Sequence, residues 1–270
     1  MKILVSFALL MGAQMLLAEG AIWQGDRSDW NGFQRYDFEV EGKKCFVVLP
    51  EKEREGRPWV WRARFPNFHI EADLLLLKRG FHVAHIDTAG MLGSSQAMAH
   101  WDAFYEMMTD KYGLAKKPVL EAVSRGGLFA YRWAARHPNR VACIYADTPV
   151  CDFKSWPLGS GTGIGHEKTW ARLLDEYALT ETEALEYREN PIDVLAPIAA
   201  AKIPLLHIIS LNDRVVPPEE NTYVLARRYR ELGGSIEIIE VKEGTEKSNG
   251  HHFDHPDPER VADFVARKAR

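Results

Sequence analysis

Cysteine is scarce in this 270-residue chain: Cys45, Cys143 and Cys151 are the three, each in or beside an apolar stretch. An odd number so placed does not make the disulfide framework of a small secreted domain. Buried free thiols are expected, with a Cys143–Cys151 pair as the alternative. An excess of one charge is also missing, since 34 Lys and Arg face 38 Asp and Glu for a net charge of −4. That balance argues against a nucleic-acid surface. The 20 Gly, 14 Pro and 46% hydrophobic residues are ordinary usage, which argues against collagen-like or disordered chains. There is no internal repeat and no low-complexity block. The length accommodates one sizeable α/β core.

The longest apolar run lies at the very start. Lys2 supplies a positive charge, residues 3–18 are almost wholly apolar, and Ala18-Glu19-Gly20 has the small-x-small pattern read by signal peptidase. Residues 1–20 therefore read as a signal peptide. The run is short for a bilayer and is interrupted by Gly12 and Gln14, so a permanent span is the weaker reading. No cysteine stands at the cut, which argues against a lipid anchor. Residues 21–270 are expected as one exported domain, secreted or periplasmic, with no membrane span after cleavage.

From there, strand and helix patterns take turns. Residues 35–40 and 45–49 form a hairpin across Glu41-Gly42. Strands are expected over 59–65, 81–86, 119–123, 141–145, 205–210 and 236–241. Helices are expected over 70–78, 98–112 and 128–136, from Pro217-Pro218-Glu219-Glu220 onward, and from Asp257-Pro258 to the end. Such alternation predicts an α/β fold with a mostly parallel central sheet and helices on both faces. Residues 150–201 break the rhythm and read as a small lid-like insertion above the sheet. Their Gly159–Gly165 run fits neither G-x-G-x-x-G nor a P-loop, and reads as a flexible lid segment; nothing points to a nucleotide or metal cofactor.

The sharpest local feature is Ala122-Val123-Ser124-Arg125-Gly126-Gly127, between a β-branched strand and an apolar helix. A serine nucleophile on a tight strand-to-helix turn needs small residues two before and two after it, which Ala122 and Gly126 supply, although G-x-S-x-G is the usual pattern. Such a serine needs a base, and the base an orienting acid. Asp213 directly follows the strand over 205–210, at the end of the sheet where α/β sites are built. His251, His252 and His255 are the candidate bases, all in Gly250-His251-His252-Phe253-Asp254-His255-Pro256. A metal site at this cluster with Asp254 is the other reading, weakened because no second group has ligand spacing.

Together these residues resemble the α/β-hydrolase superfamily over nearly the whole mature chain, most of all bacterial exported esterase-like hydrolases associated with carbohydrate degradation. The resemblance implies Ser124 as nucleophile, Asp213 as orienting acid and His251 as base, the last because Gly250-His251-His252-Phe253 resembles the Gly-His-x-Phe turn of related hydrolases. It also implies two oxyanion donors, the Arg125 N–H and a second from the loop after the strand ending Arg62-Ala63-Arg64-Phe65-Pro66. Phe65 is the expected donor and Arg64 the alternative, since Pro66 has no N–H. Arg62, Arg64 and Arg125 are expected near the site entrance, where they would favour an anionic substrate. Trp156 is expected as a pocket wall, with Trp101 and Trp170 as further candidates for sugar stacking. The expected activity is hydrolysis of a carboxylic ester, such as an acetyl or methyl ester on an acidic or acetylated glycan. A prolyl-peptidase-like amidase and a non-catalytic binding protein on the same fold are the alternatives.

Overall fold

The computed structural model describes residues 22–269, so the expected signal peptide lies outside the described residues. Nine strands form one sheet in the order β1-β2-β3-β5-β4-β6-β7-β8-β9. They are β1 (Asp26–Trp30), β2 (Phe33–Val40), β3 (Lys43–Val48), β4 (Trp59–Arg62), β5 (His82–Ile86), β6 (Val119–Val123), β7 (Cys143–Asp147), β8 (Leu205–Ser210) and β9 (Ile236–Val241). The first three are antiparallel to their neighbours, and β4 to β9 run parallel. Strands β4 to β8 are buried along their whole length, which is why the sequence shows them as continuous apolar runs rather than alternating ones. This is the α/β-hydrolase fold.

The helices are α1 (Glu71–Lys78), α2 (Ser95–Glu106), α3 (Gly126–Arg136), α4 (Glu167–Tyr177), α5 (Glu181–Glu186), α6 (Leu195–Ala200), α7 (Thr222–Glu231) and α8 (Pro258–Lys268). Two cores result. Helices α1 and α8 bury Leu76, Leu77, Val261, Phe264 and Val265 on one face of the sheet. Helices α2, α3, α6 and α7 cover the other, around an indole cluster in which the Trp61 ring stacks on Trp101 with centres 4.3 Å apart and meets Trp133 edge-on at 5.0 Å. Trp101 is thus a core residue and not a sugar platform, and Trp170 is likewise buried, edge-on to Phe153.

Several boundaries differ from the sequence expectation, each for a local reason. Strand β4 stops at Arg62 because Phe65 turns into the left-handed region at φ 51°. Helix α2 begins earlier than expected, where the Ser94 side chain accepts the Ala97 N–H at 3.3 Å, and it leaves through a wide π-type turn over Met107–Lys111. The helix expected from Pro217 starts only at Thr222. Asn221 breaks it, because its side chain bridges to the insertion by accepting the Cys151 N–H at 2.8 Å and donating to Ser155 Oγ at 2.9 Å. The edge strand β1 was not foreseen: four of its five residues are exposed, so no apolar alternation marks it.

Residues 150–201 fold back over the C-terminal end of the sheet. The glycine run, read from sequence as a flexible lid, is instead fastened down. Glu220 accepts the Thr162 N–H at 2.5 Å and the Ser155 hydroxyl at 2.6 Å, and the Ile164 N–H donates to the Arg214 carbonyl at 2.7 Å. A side chain on Gly161 would strike the Glu220 carboxylate, so close packing accounts for that glycine. All three cysteines are free and buried, and no Cys143–Cys151 bond forms. Among the described residues no helix is long and apolar enough to cross a membrane.

Candidate active site

The strand order reverses between β4 and β6, because β5 lies outside β4 while β6 lies on its other side. Such a reversal opens a crevice at the C-terminal ends of the strands. Phe65, after β4, and Ser124, after β6, stand on its two sides. Ser124 occupies a left-handed turn, φ 52°, directly between β6 and α3. The steric demand there differs from expectation. A Cβ on Gly126 would sit 3.3 Å from the Ala63 Cβ, whereas one on Gly127 would lie 2.4 Å from the Val150 carbonyl oxygen. Gly127 is the glycine this elbow cannot replace.

Three sequence-separated side chains meet at the turn. His251 Nε2 lies 2.9 Å from Ser124 Oγ, and His251 Nδ1 lies 2.6 Å from Asp213 Oδ2. Asp213 is held by its other oxygen, which accepts the N–H groups of Val215 at 2.8 Å and Val216 at 2.9 Å. With Asp213 accepting at Nδ1, the imidazole carries its proton there and presents a bare Nε2 to the serine. Between the adjacent histidines the geometry selects His251. His252 is exposed, 5.3 Å away between ring centres, and His255 turns to the Tyr145 hydroxyl at 3.1 Å. Partial desolvation against its neighbours and the adjacent His251 push the His252 pKa down. Among the described residues no group of three or more His, Cys, Asp or Glu is arranged to hold a metal ion.

Ser124 opens into a cavity of about 250 Å³ lined by Phe65, Phe68, Arg125, Trp156, His251 and His252 among others. Arg125 and Phe65, the residues expected to supply the two donors, both line this cavity. Neither backbone N–H has an acceptor among the described residues. Trp156 is half-buried and forms a wall of this cavity, with the Arg125 guanidinium 5.8 Å from its ring centre.

Arg62 is a correction. It is fully buried on the α1 side of the sheet, where it pairs with Asp73 and, at 2.7 Å, with Glu121, and so it lines no entrance. Strand alternation explains this: Trp59 and Trp61 point into the tryptophan core, so Val60 and Arg62 point the other way. Burial pushes the Glu121 carboxyl well up, against the opposing pull of the Arg62 guanidinium. Arg64 and Arg125 do stay beside the cavity, with their guanidinium groups 4.6 and 5.3 Å from the centre of the Phe65 ring.

A further buried pair escaped the sequence reading. His69 Nδ1 meets the Asp147 carboxylate, and its Nε2 lies 2.6 Å from the Phe253 carbonyl oxygen. Both ring nitrogens face acceptors, which only the doubly protonated imidazolium satisfies. Burial lowers the His69 pKa, but the bond to Asp147 and its charge outweigh that, and the net shift is upward. The pair ties the segment carrying His251 to the end of β7. A single histidine in Phe68-His69-Ile70 gave no signal for it.

Neither a family model nor a curated protein sequence matches the chain. Solved structures share its fold. MPT51 of Mycobacterium tuberculosis is similar over 87% of this chain and 99% of its own, with a TM-score of 0.67 and 14% identity. An esterase of Pyrococcus furiosus matches over 92% and 99%, with a TM-score of 0.60 and 16% identity. Acylaminoacyl peptidase of Pyrococcus horikoshii matches with a TM-score of 0.65 and 16% identity; the chain covers 44% of that protein's length, through 90% of its own.

Proposed function

We propose that the protein is an exported serine hydrolase that cleaves a carboxylic ester, removing acetyl or methyl groups from a polysaccharide or oligosaccharide. The continuous line from Ser124 Oγ through His251 to the buried Asp213 carries this reading. Ser124 Oγ attacks the ester carbonyl carbon while His251 Nε2 takes the hydroxyl proton. The carbonyl oxygen becomes an oxyanion and accepts from the Arg125 and Phe65 N–H groups, which are free to donate at that moment. The carbon–oxygen bond of the leaving group then breaks, and His251 returns the proton to the departing alcohol. Water attacks the acyl-Ser124 ester with His251 again as base, freeing the acid and the serine.

The half-buried Trp156 beside the nucleophile supports a sugar-bearing substrate, because an indole face packs on a pyranose ring. Export is supported by the N-terminal sequence pattern. An acyl-amide or peptide substrate is the second reading, supported by the fold likeness to acylaminoacyl peptidase. The test is intact mass after treatment with a fluorophosphonate, followed by chromatography of acetate and methanol released from esterified xylan and pectin. One adduct on the wild type, absent in Ser124→Ala, and release of either product are expected. No adduct overturns the serine mechanism, and amide cleavage without ester cleavage overturns the ester reading.

A further inference from the structure

Next to the Ser124 cavity lies a second one, of about 380 Å³, lined by Arg64, Arg125, Lys168 and Arg172 together with Gly90, Leu92, Ala89 and Thr169. Four cations and no carboxylate form its wall. Arg125 belongs to both cavities, so the two are neighbouring parts of one surface. Among the described residues neither Arg64 nor Arg125 has a carboxylate at ion-pair distance, and the Arg64 Nε is buried without a hydrogen-bond partner. A buried cationic donor is normally paired, so the unpartnered Arg64 Nε is a cost the fold carries without a stabilising return. Nearby acids offset little of it: Glu176 stands 3.7 Å from Arg172, and Asp87 acts on Arg64 only at a distance. Burial and the adjacent guanidinium push both Arg64 and Arg125 down, which reports the same crowding of positive charge.

The insertion side of the cluster is held in place through Arg172. Arg172 comes from α4 in the insertion and is anchored by its Nε donating to the Gly90 carbonyl at 2.7 Å. Its guanidinium fills the space that a side chain on residue 90 would take. The insertion thereby completes a cationic pocket whose other half is built by the loops after β4 and β6.

The geometry points to an anion subsite that binds a carboxylate of the substrate, a uronate of a glycan chain, beside the ester held at Ser124. Guanidinium groups present paired N–H donors that match a carboxylate's two oxygens. The assignment deepens the ester-hydrolase reading and rests on it only for the reaction, not for the binding.

The test compares an acetylated trigalacturonate with its carboxyl-reduced counterpart. Calorimetry with Ser124→Ala protein should show the acidic glycan bound roughly tenfold more tightly or better, with a steep loss on adding salt. The preference should collapse in Arg172→Gln and in Lys168→Gln, two exposed positions whose replacement leaves the core intact. Equal binding, no binding, or a preference unchanged in both variants overturns the subsite. A sulfated galactan of equal length that binds more tightly than the uronate overturns the carboxylate assignment. Kinetics separate the two readings. Binding preference with neither acetate released from the acetylated glycan nor methanol from its methyl-esterified form removes the ester reading and keeps the subsite, whereas equal acetate release from the acidic and the carboxyl-reduced glycan does the reverse.

Discussion

Arg62 Nη2 donates to the carbonyl oxygen of Phe65 at 3.0 Å. The same nitrogen reaches the Phe68 carbonyl at 2.5 Å, so a charge buried beneath the sheet fixes the loop that borders Ser124. Arg62 is in turn held by Asp73 of α1 and Glu121 of β6. Loop position and sheet packing are consequently one interaction.

Replacing Arg62 by Met leaves the buried Asp73 carboxyl without its partner and frees the 65–68 loop. A loss of about 3–5 kcal/mol is expected, read as a lower urea midpoint with an unchanged slope. Arg62→Met combined with Asp73→Leu and Glu121→Gln should recover much of it. A single Arg62 variant as stable as wild type would refute the buried cluster.

The His69–Asp147 pair makes stability depend on pH in a stated direction. Its folded pKa is raised above the ordinary histidine value of about 6.5. The contribution is therefore fully present below that ordinary value and is lost as pH rises through the raised folded value. Urea midpoints measured across the neutral to alkaline range should fall in the wild type, and the fall should be shallower in His69→Gln. Parallel curves for the two proteins would be inconsistent with a charged His69.

Adjacent histidines should differ sharply in kinetics. Ser124→Ala or His251→Ala should lower kcat by roughly 10⁴- to 10⁶-fold, and Asp213→Asn by about 10⁴-fold. His252→Ala should cost less than about tenfold, because its ring borders the cavity without touching Ser124 or Asp213. Comparable losses at positions 251 and 252 would contradict the assignment.

The thiols should be silent in the native protein. Burial pushes the Cys45 thiol up to about 12 and raises Cys143 and Cys151 as well. A thiol-reactive dye should label the folded chain only slowly, with all three cysteines reacting after denaturation. Rapid labelling of native protein would place a cysteine at the surface.

How far the sequence disclosed the site follows from where each residue stands. Ser124 and Asp213 each follow a strand, so local pattern and chain order suffice to find them, whereas for the base they narrow the choice only to His251, His252 and His255, and the resemblance to a Gly-His-x-Phe turn singles out His251. Arg62 was misplaced because β4 is only four residues long and buried on both faces, and its acids, Asp73 and Glu121, come from other elements. Arg172 and Lys168 could not be recognised either, since their meeting with Arg64 and Arg125 depends on how residues 150–201 fold back. The same holds for Asn221 and Glu220, which look like helix-opening residues and act as clamps on the insertion.

The elbow and the insertion share a seam. Val150 donates its N–H to the Ser124 carbonyl at 2.9 Å, and its own carbonyl lies where Gly127 has no side chain. Residues 150–201 are thus divisible: the first of them is part of the scaffold of the Ser124 turn, and the chain beyond it contributes Trp156, Lys168 and Arg172 to the cavities beside that turn. An exchange of this region between proteins of the same fold would keep a competent serine when the splice falls after Val150, and would undo the turn when it falls before.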